Sequence, residues 1–130
     1  MRVLLDTHVI LAVIESRTER FPIDIQRLLN DPTVEFNVSV ASLWEIAIKS
    51  RLGKLQLTPP LDSLPELIAG LGIDLVLIDD RHVLTTVSPE PPTRDPFDRL
   101  LLAQCQVEDL RLVTVDRALV SHALAVSVRR

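Results

Sequence analysis

Arg2-Val3-Leu4-Leu5-Asp6-Thr7-His8-Val9-Ile10-Leu11-Ala12-Val13-Ile14 is the stretch that decides the fold. Arg2 to Leu5 is a β-rich apolar run, Asp6-Thr7 stops it, and an apolar helical pattern follows from Val9 to Ile14. A buried strand that ends on an acid and passes at once into a helix is the start of a βα unit, and the same grammar recurs outward from it. Pro22 suits the first turn of a second helix over Ile23 to Leu29. Phe36 to Ser39 reads as a strand, and Ser39 or Ser42 opens a helix running to Arg51, stopped by Gly53. Leu61 to Leu71 is helical, Ile73 to Ile78 a second largely apolar strand, and Arg81 to Thr86 a short helix. Three prolines make Ser88 to Arg94 a loop. Asp95-Pro96 begins a helix to about Glu108, Leu112 to Val115 is a further buried strand, and a short helix and a last strand, Ala125 to Val128, close the chain. Strands alternating with helices, with inner strands apolar throughout, predict an α/β three-layer sandwich: a mainly parallel sheet flanked by helices on both faces.

A chain of 130 residues, 47% of them hydrophobic, suits one domain over 1–130 and excludes disorder. No apolar stretch approaches the roughly 20 residues of a membrane span. With no signal-peptide layout, a cytoplasmic location is expected. Only three glycines are present, and no glycine-rich phosphate cradle can be written. The single Cys105 excludes an internal disulfide and a zinc site built on thiolates. Eighteen acids against fourteen Lys and Arg give a net charge of −4. That balance disfavours a broad polyanion-binding face. It leaves room for a nucleic-acid partner met by bound metal ions and a few arginines.

The chemistry lies where carboxylates interrupt apolar segments. Asp6 and Asp116 each end a strand, and in open parallel sheets ligand sites form beyond the carboxyl ends of strands. For either acid alone, capping the next helix is an equally good explanation. Glu45 sits in a helix that is apolar on nearly all sides, where a charge is costly without a partner. An ion pair with Lys49 one turn on is its bland alternative. In Asp95-Pro96-Phe97-Asp98-Arg99, Asp95 fits the helix cap and Pro96 the first helical position, which leaves Asp98 free to project toward the strand ends. Carboxylates gathered in one place repel one another unless a cation neutralises them. An oxygen-only donor set suits a hard dication, Mg2+ or Mn2+.

Leu4-Leu5-Asp6-Thr7-His8, Ser42-Leu43-Trp44-Glu45-Ile46-Ala47-Ile48-Lys49, Arg94-Asp95-Pro96-Phe97-Asp98-Arg99 with its run to Gln104, and Leu112-Val113-Thr114-Val115-Asp116 together resemble the PIN-domain ribonucleases. Within them the set is most similar to the VapC-type toxins of bacterial toxin–antitoxin pairs. The resemblance spans almost the whole chain. It implies Asp6 and Asp98 as the principal metal-site acids, Glu45 and Asp116 completing the catalytic cluster, and Asp95 as a supporting or capping acid. It implies RNA cut internally, often a tRNA or rRNA, and a small cognate antitoxin that blocks the acidic site. Thr7 and Ser42 are then expected to hydrogen-bond to site carboxylates. Arg99 and Arg94 are candidate phosphate contacts, with surface pairing to Asp95 or Glu90 as the alternative. The apolar residues Val9, Ile10, Ala12 and Val13, with the helix from Ile46 to Lys49, suggest a homodimer face or an antitoxin groove.

Three other readings stand beside this one. A histidine-pair ribonuclease needs two converging imidazoles, and His82 and His122 have no reason to meet His8. A receiver-like phosphoacceptor also gathers acids at strand ends, but Asp79-Asp80 lacks the required lysine partner. A catalytically silent PIN-fold binding module is the third.

Overall fold

The computed structural model describes residues 1–127. Strands β1 (Arg2–Leu5), β2 (Glu35–Ser39), β3 (Asp74–Val76) and β4 (Arg111–Val113) form one parallel sheet in the order β3-β2-β1-β4. In register, Leu5 lies beside Val38 and Val113, and Val38 beside Leu75. Because every strand points the same way, all four carboxyl ends share one rim. The chain adds β2 and β3 on one side of β1 and β4 on the other, so the topological switch point lies between β1 and β4. That is where an open α/β sheet forms its crevice.

Helices α1 (Thr7–Ile14), α2 (Ile23–Leu29), α3 (Val40–Arg51), α4 (Leu64–Gly70), α5 (Asp80–Leu84) and α6 (Pro96–Glu108) surround the sheet. The pleat of β1 divides the core in two. Val3 and Leu5 pack with Val9, Ile10, Ile25, Ile46 and Ile68 on one face. Leu4 packs with Leu101, Leu102, Cys105 and Leu112 on the other. Each fully buried aliphatic side chain contributes about 1.5–3 kcal/mol of transfer free energy. The two clusters make the three layers expected from the apolar strands.

Several expectations shift in detail. The first helix begins at Thr7, not Val9, because the Asp6 carboxylate caps it through the Thr7 amide. Ser39 rather than Ser42 caps α3, accepting from Ala41 N. The stretch from Leu61 opens as one 3-10 turn before α4. The strand expected over Ile73 to Ile78 is only β3, an edge strand with Asp74 exposed. The run through Val115 ends as a strand at Val113, and the residues after Asp116 form turns in place of a short helix. Of the last strand, a single parallel bridge joins Ala125 to Leu112, and Val128 lies outside the described residues. Of the apolar face expected for a homodimer or antitoxin, Val9, Ile10, Ala12 and Ile46 are buried in the chain's own core, while Val13 and Ile48 are half-buried. Among the described residues, no helix is long and apolar enough to cross a membrane.

Candidate functional site

The switch-point rim is built on Asp6. Its backbone amide donates to Val113 O, which ties the end of β1 to the end of β4. Its carboxylate accepts from Thr7 N at 2.7 Å through Oδ1 and from Thr114 Oγ1 at 2.7 Å through Oδ2. Thr114 Oγ1 in turn accepts from Asp116 N at 3.1 Å, so one hydroxyl links Asp6 to the turn that carries Asp116. The Asp116 carboxylate accepts from Ala118 N at 2.8 Å. On the other side of Asp6, Thr7 Oγ1 lies 2.8 Å from Glu45 Oε1 and 2.9 Å from Ser42 Oγ. A hydroxyl has one proton. Donated to the carboxylate, it leaves the Ser42 hydroxyl to donate to Thr7. Glu45 is only 8% exposed, and its second oxygen meets Lys49 Nζ at 2.6 Å. Both readings of Glu45 therefore hold: it is buried at the rim and paired with Lys49.

The N-terminus of α6 brings the remaining acids. Asp95 is the cap, accepting from Phe97 N at 2.8 Å and Asp98 N at 3.4 Å, with Pro96 next in the first turn. Asp98 projects from that turn, half-buried, and its best polar neighbour is Thr93 Oγ1 at 3.5 Å. Burial first, and then the charges of Asp95, Asp6, Asp116 and Glu45, push the Asp98 carboxyl up to about 7. Burial also raises Asp6, against the hydrogen bonds from Thr114 and Thr7. These are the marks of negative charges that meet and lack compensation. Among the described residues none of Asp6, Asp98 or Asp116 forms an ion pair.

A hard cation fits this donor set, which is all oxygen and short of positive charge. Asp6, Asp98, Asp116 and Glu45 are the residues able to hold one. They do not form a closed cage, since the one trio of potential ligands within 4.8 Å of each other among the described residues is elsewhere. An ion that keeps several waters needs no cage.

That other trio is Asp79, His82 and Glu108, and its hydrogen bonds explain it without a metal. Asp79 caps α5, and its amide donates to His82 Nδ1 at 3.0 Å. The ring proton is thereby placed on Nε2, 2.9 Å from Glu108 Oε1. Arg81 Nη2 reaches Asp79 Oδ2 and Glu108 Oε1, each at 2.8 Å. Arg81 holds Asp79 below the usual carboxylate range, and His82 does the same for Glu108. The rim acids are raised; these are lowered.

Most of the other candidates make contacts of their own. Arg99 turns away to Thr93 O at 2.7 Å and Glu90 Oε1 at 2.7 Å, so the surface-pairing alternative is the one realised. Arg94 is exposed, with no ion pair among the described residues. His122 is buried, joining Pro89 O and the Leu124 amide, far from any role with His8. His8 alone of the three histidines stands beside Asp6, whose carboxyl its charge affects. Asp79-Asp80 serves as a helix start rather than an acceptor site. Cys105 is buried, with its thiol pushed up to about 12, and is chemically quiet.

Two features, Thr114 and the Trp44–Phe97 contact, were not foreseen. Thr114 is the hydroxyl that joins Asp6 to Asp116, and its only trace in the sequence is a polar residue within Leu112–Val115. Lys49, expected as the partner of Glu45, is a resident cation, raised by its bond to Glu45 and by the nearby Asp95 and Asp98. Trp44 is 60% exposed, edge-on to Phe97 with ring centroids 5.5 Å apart, and the two rings immediately precede Glu45 and Asp98. Comparison with curated proteins finds no match. Comparison with protein families matches the PIN domain over residues 3–123, a span that contains every residue of the acidic rim. The chain belongs to the PIN domain family.

Proposed function

We propose that this PIN domain is a Mg2+- or Mn2+-dependent endoribonuclease, the toxin of a toxin–antitoxin pair acting in the cytoplasm. Asp6, Glu45, Asp98 and Asp116 are its metal-holding and catalytic acids. The observation that carries the reading is Asp98, a half-buried carboxyl raised to about 7 by burial and by the charges of four acids, with no cation paired to it among the described residues. Bound at this rim, a hard dication supplies Lewis acidity, acidifying water and offsetting charge on a phosphate. The protein's part is positional. Thr114 and Thr7 fix the Asp6 carboxylate, Thr7 and Lys49 fix both oxygens of Glu45, and the Asp95 cap sets the turn that aims Asp98. Lys49 offsets only part of the rim's negative charge, a deficit that a bound dication would make good.

The substrate is RNA cut internally, with tRNA or rRNA as the first candidates by family resemblance. The partners are a small antitoxin that covers the rim and, by the same resemblance, a second copy of the chain. The test is incubation of purified protein with structured RNA and Mg2+ or Mn2+. Cleavage that stops in chelator and in Asp6→Asn, with the fold of that variant intact by circular dichroism, supports the reading. Asparagine keeps the cap on α1, so a lost activity reports the lost charge. Equal cutting in excess chelator overturns it. The Glu45–Lys49 pair favours one second reading, a silent binding module whose rim is neutralised from within. That reading expects RNA binding with no cleavage under either metal.

A further inference from the structure

Beside the acidic rim, starting at Thr7, lies a groove of about 490 Å³ between α1, the turn after it, and the C-terminal half of α3 with the segment that follows. Four of its six polar lining residues are cations, Arg17 and Arg20 from one wall and Lys49 and Lys54 from the other; Thr7 and His8 are the remaining two. No aspartate or glutamate lines it, in a chain where acids outnumber Lys and Arg eighteen to fourteen. Arg17 is shared with Glu15 at 3.4 Å and Lys49 with Glu45 at 2.6 Å. Arg20 and Lys54 are exposed and form no ion pair among the described residues. Of its apolar floor, Phe21 and Leu55 are partly exposed, while Ile46 is fully buried in the core.

From this we infer that the groove is the track of the RNA strand on one side of the scissile phosphate, with Arg20 and Lys54 as its backbone contacts. The inference rests on the ribonuclease reading and adds where the substrate lies. Like-charged side chains from separate segments facing one cleft repel each other, and focus an anionic ligand into it. A backbone of repeated phosphates satisfies two opposed walls at once, and an apolar floor accepts the faces of unpaired bases. An inorganic phosphate would use the walls and leave the floor bare. The groove adds candidate phosphate contacts to Arg94, which is exposed, and Arg99, which is paired with Glu90.

The experiment measures binding of a fluorescein-labelled single-stranded RNA by anisotropy across a salt series, in an Asp98→Asn background that holds the probe uncut. Arg20→Gln/Lys54→Gln is compared with Arg2→Gln/Arg27→Gln, which removes the same charge from surfaces outside the groove. Both groove residues are exposed, so the variant is expected to fold, and its melting temperature verifies this. The expected result is about tenfold weaker binding for the groove variant, with the slope of log affinity against log salt smaller by about 1.4. With Asp98 restored, KM rises and kcat holds. The control keeps the parent affinity and slope. An unchanged affinity and slope in the groove variant overturns the inference and leaves the groove to an acidic segment of a protein partner. The two readings fail separately. Wild-type protein that cuts RNA, beside an unmoved salt slope, sinks the groove alone. A lowered slope in a protein that never cuts sinks the catalysis alone.

Discussion

Thr7 Oγ1 stands 2.8 Å from Glu45 Oε1, joining the first residue of α1 to the middle of α3 across the acidic rim. Both residues are buried, so the bond is not exchanged with water, and Ser42 shares the same hydroxyl. Thr7→Val keeps the shape and removes the bond, leaving Glu45 Oε1 and the Ser42 hydroxyl without their partner. A buried acceptor stripped of its donor costs about 1–3 kcal/mol. Thermal unfolding of Thr7→Val is expected to show a loss of that size, while Thr7→Ser shows a small fraction of it. Metal-dependent cleavage weakens in the valine variant and survives in the serine one. Equal melting temperatures for wild type and valine would mean that the bond contributes nothing.

Asp98 makes stability depend on pH in an unusual direction. Its carboxyl is near 3.8 in the unfolded chain and about 7 in the folded protein. Between those values the folded state keeps a proton that the unfolded state has lost, so stability falls as pH rises, and the penalty is complete above about pH 7. Asp6, also raised, acts in the same sense. Protein held in chelator is therefore expected to melt at a higher temperature near pH 5 than near pH 8. Asp98→Asn flattens that slope, and Mg2+ or Mn2+ raises the melting temperature most at the alkaline end, where the acids are charged. A metal-free protein that is more stable at pH 8 than at pH 5 contradicts the crowding of acids at the rim.

How much of this was legible follows from which residues carry their signal locally. Asp6 interrupts Val3-Leu4-Leu5 and Asp98 follows a capping Asp95-Pro96, so both could be read from their neighbours alone. Glu45 stood out because its own helix is apolar. Thr114 could not be singled out, since a threonine in a β-run is ordinary and only the meeting of β1 with β4 gives its hydroxyl a carboxylate. β3 was overread because Leu75 to Ile78 are apolar, yet an edge position leaves Leu77 exposed. Arg99 has two readings in the sequence, phosphate contact or pairing with Glu90, because Glu90 lies in a proline-rich loop whose course has no periodic signal; the structure shows the pair with Glu90. The cationic groove is the extreme case. Arg20 and Lys54 are 34 positions apart, and only the packing of α1 against α3 makes them face one cleft.

Asp95 separates structure from catalysis. Its carboxylate caps α6 through two amides, and its charge is the largest of the neighbouring charges raising Asp98. Asp95→Ala loses the cap, at about 0.5–2 kcal/mol of stability. Asp95→Asn keeps the cap and removes the charge. The asparagine variant is expected to melt near the wild-type temperature, with a shallower pH dependence because Asp98 titrates lower. Its cleavage at saturating metal stays within a fewfold of wild type. A loss as deep as that of Asp98→Asn would move Asp95 into the metal-holding set.

The Asp79–His82–Glu108 trio provides the last test, because its atoms stand closer together than those of the rim and so resemble a metal site by distance alone. A metal at His82 would need a free ring nitrogen, but Nδ1 takes the Asp79 amide and Nε2 donates to Glu108. Arg81 already supplies positive charge to both carboxylates. Removing Glu108 therefore unsettles packing and leaves metal chemistry alone. Glu108→Gln is expected to lower the melting temperature modestly at neutral pH and to leave Mg2+- and Mn2+-dependent cleavage unchanged. The difference from wild type shrinks as pH falls through the lowered folded-state range of Glu108, since a carboxyl held below its unfolded value stabilises only while it is charged. Zn2+ titrated into Asp98→Asn, where the rim is weakened, should then find no tight site. Stoichiometric Zn2+ binding that disappears in Glu108→Gln would show that the trio yields its hydrogen bonds to a metal after all.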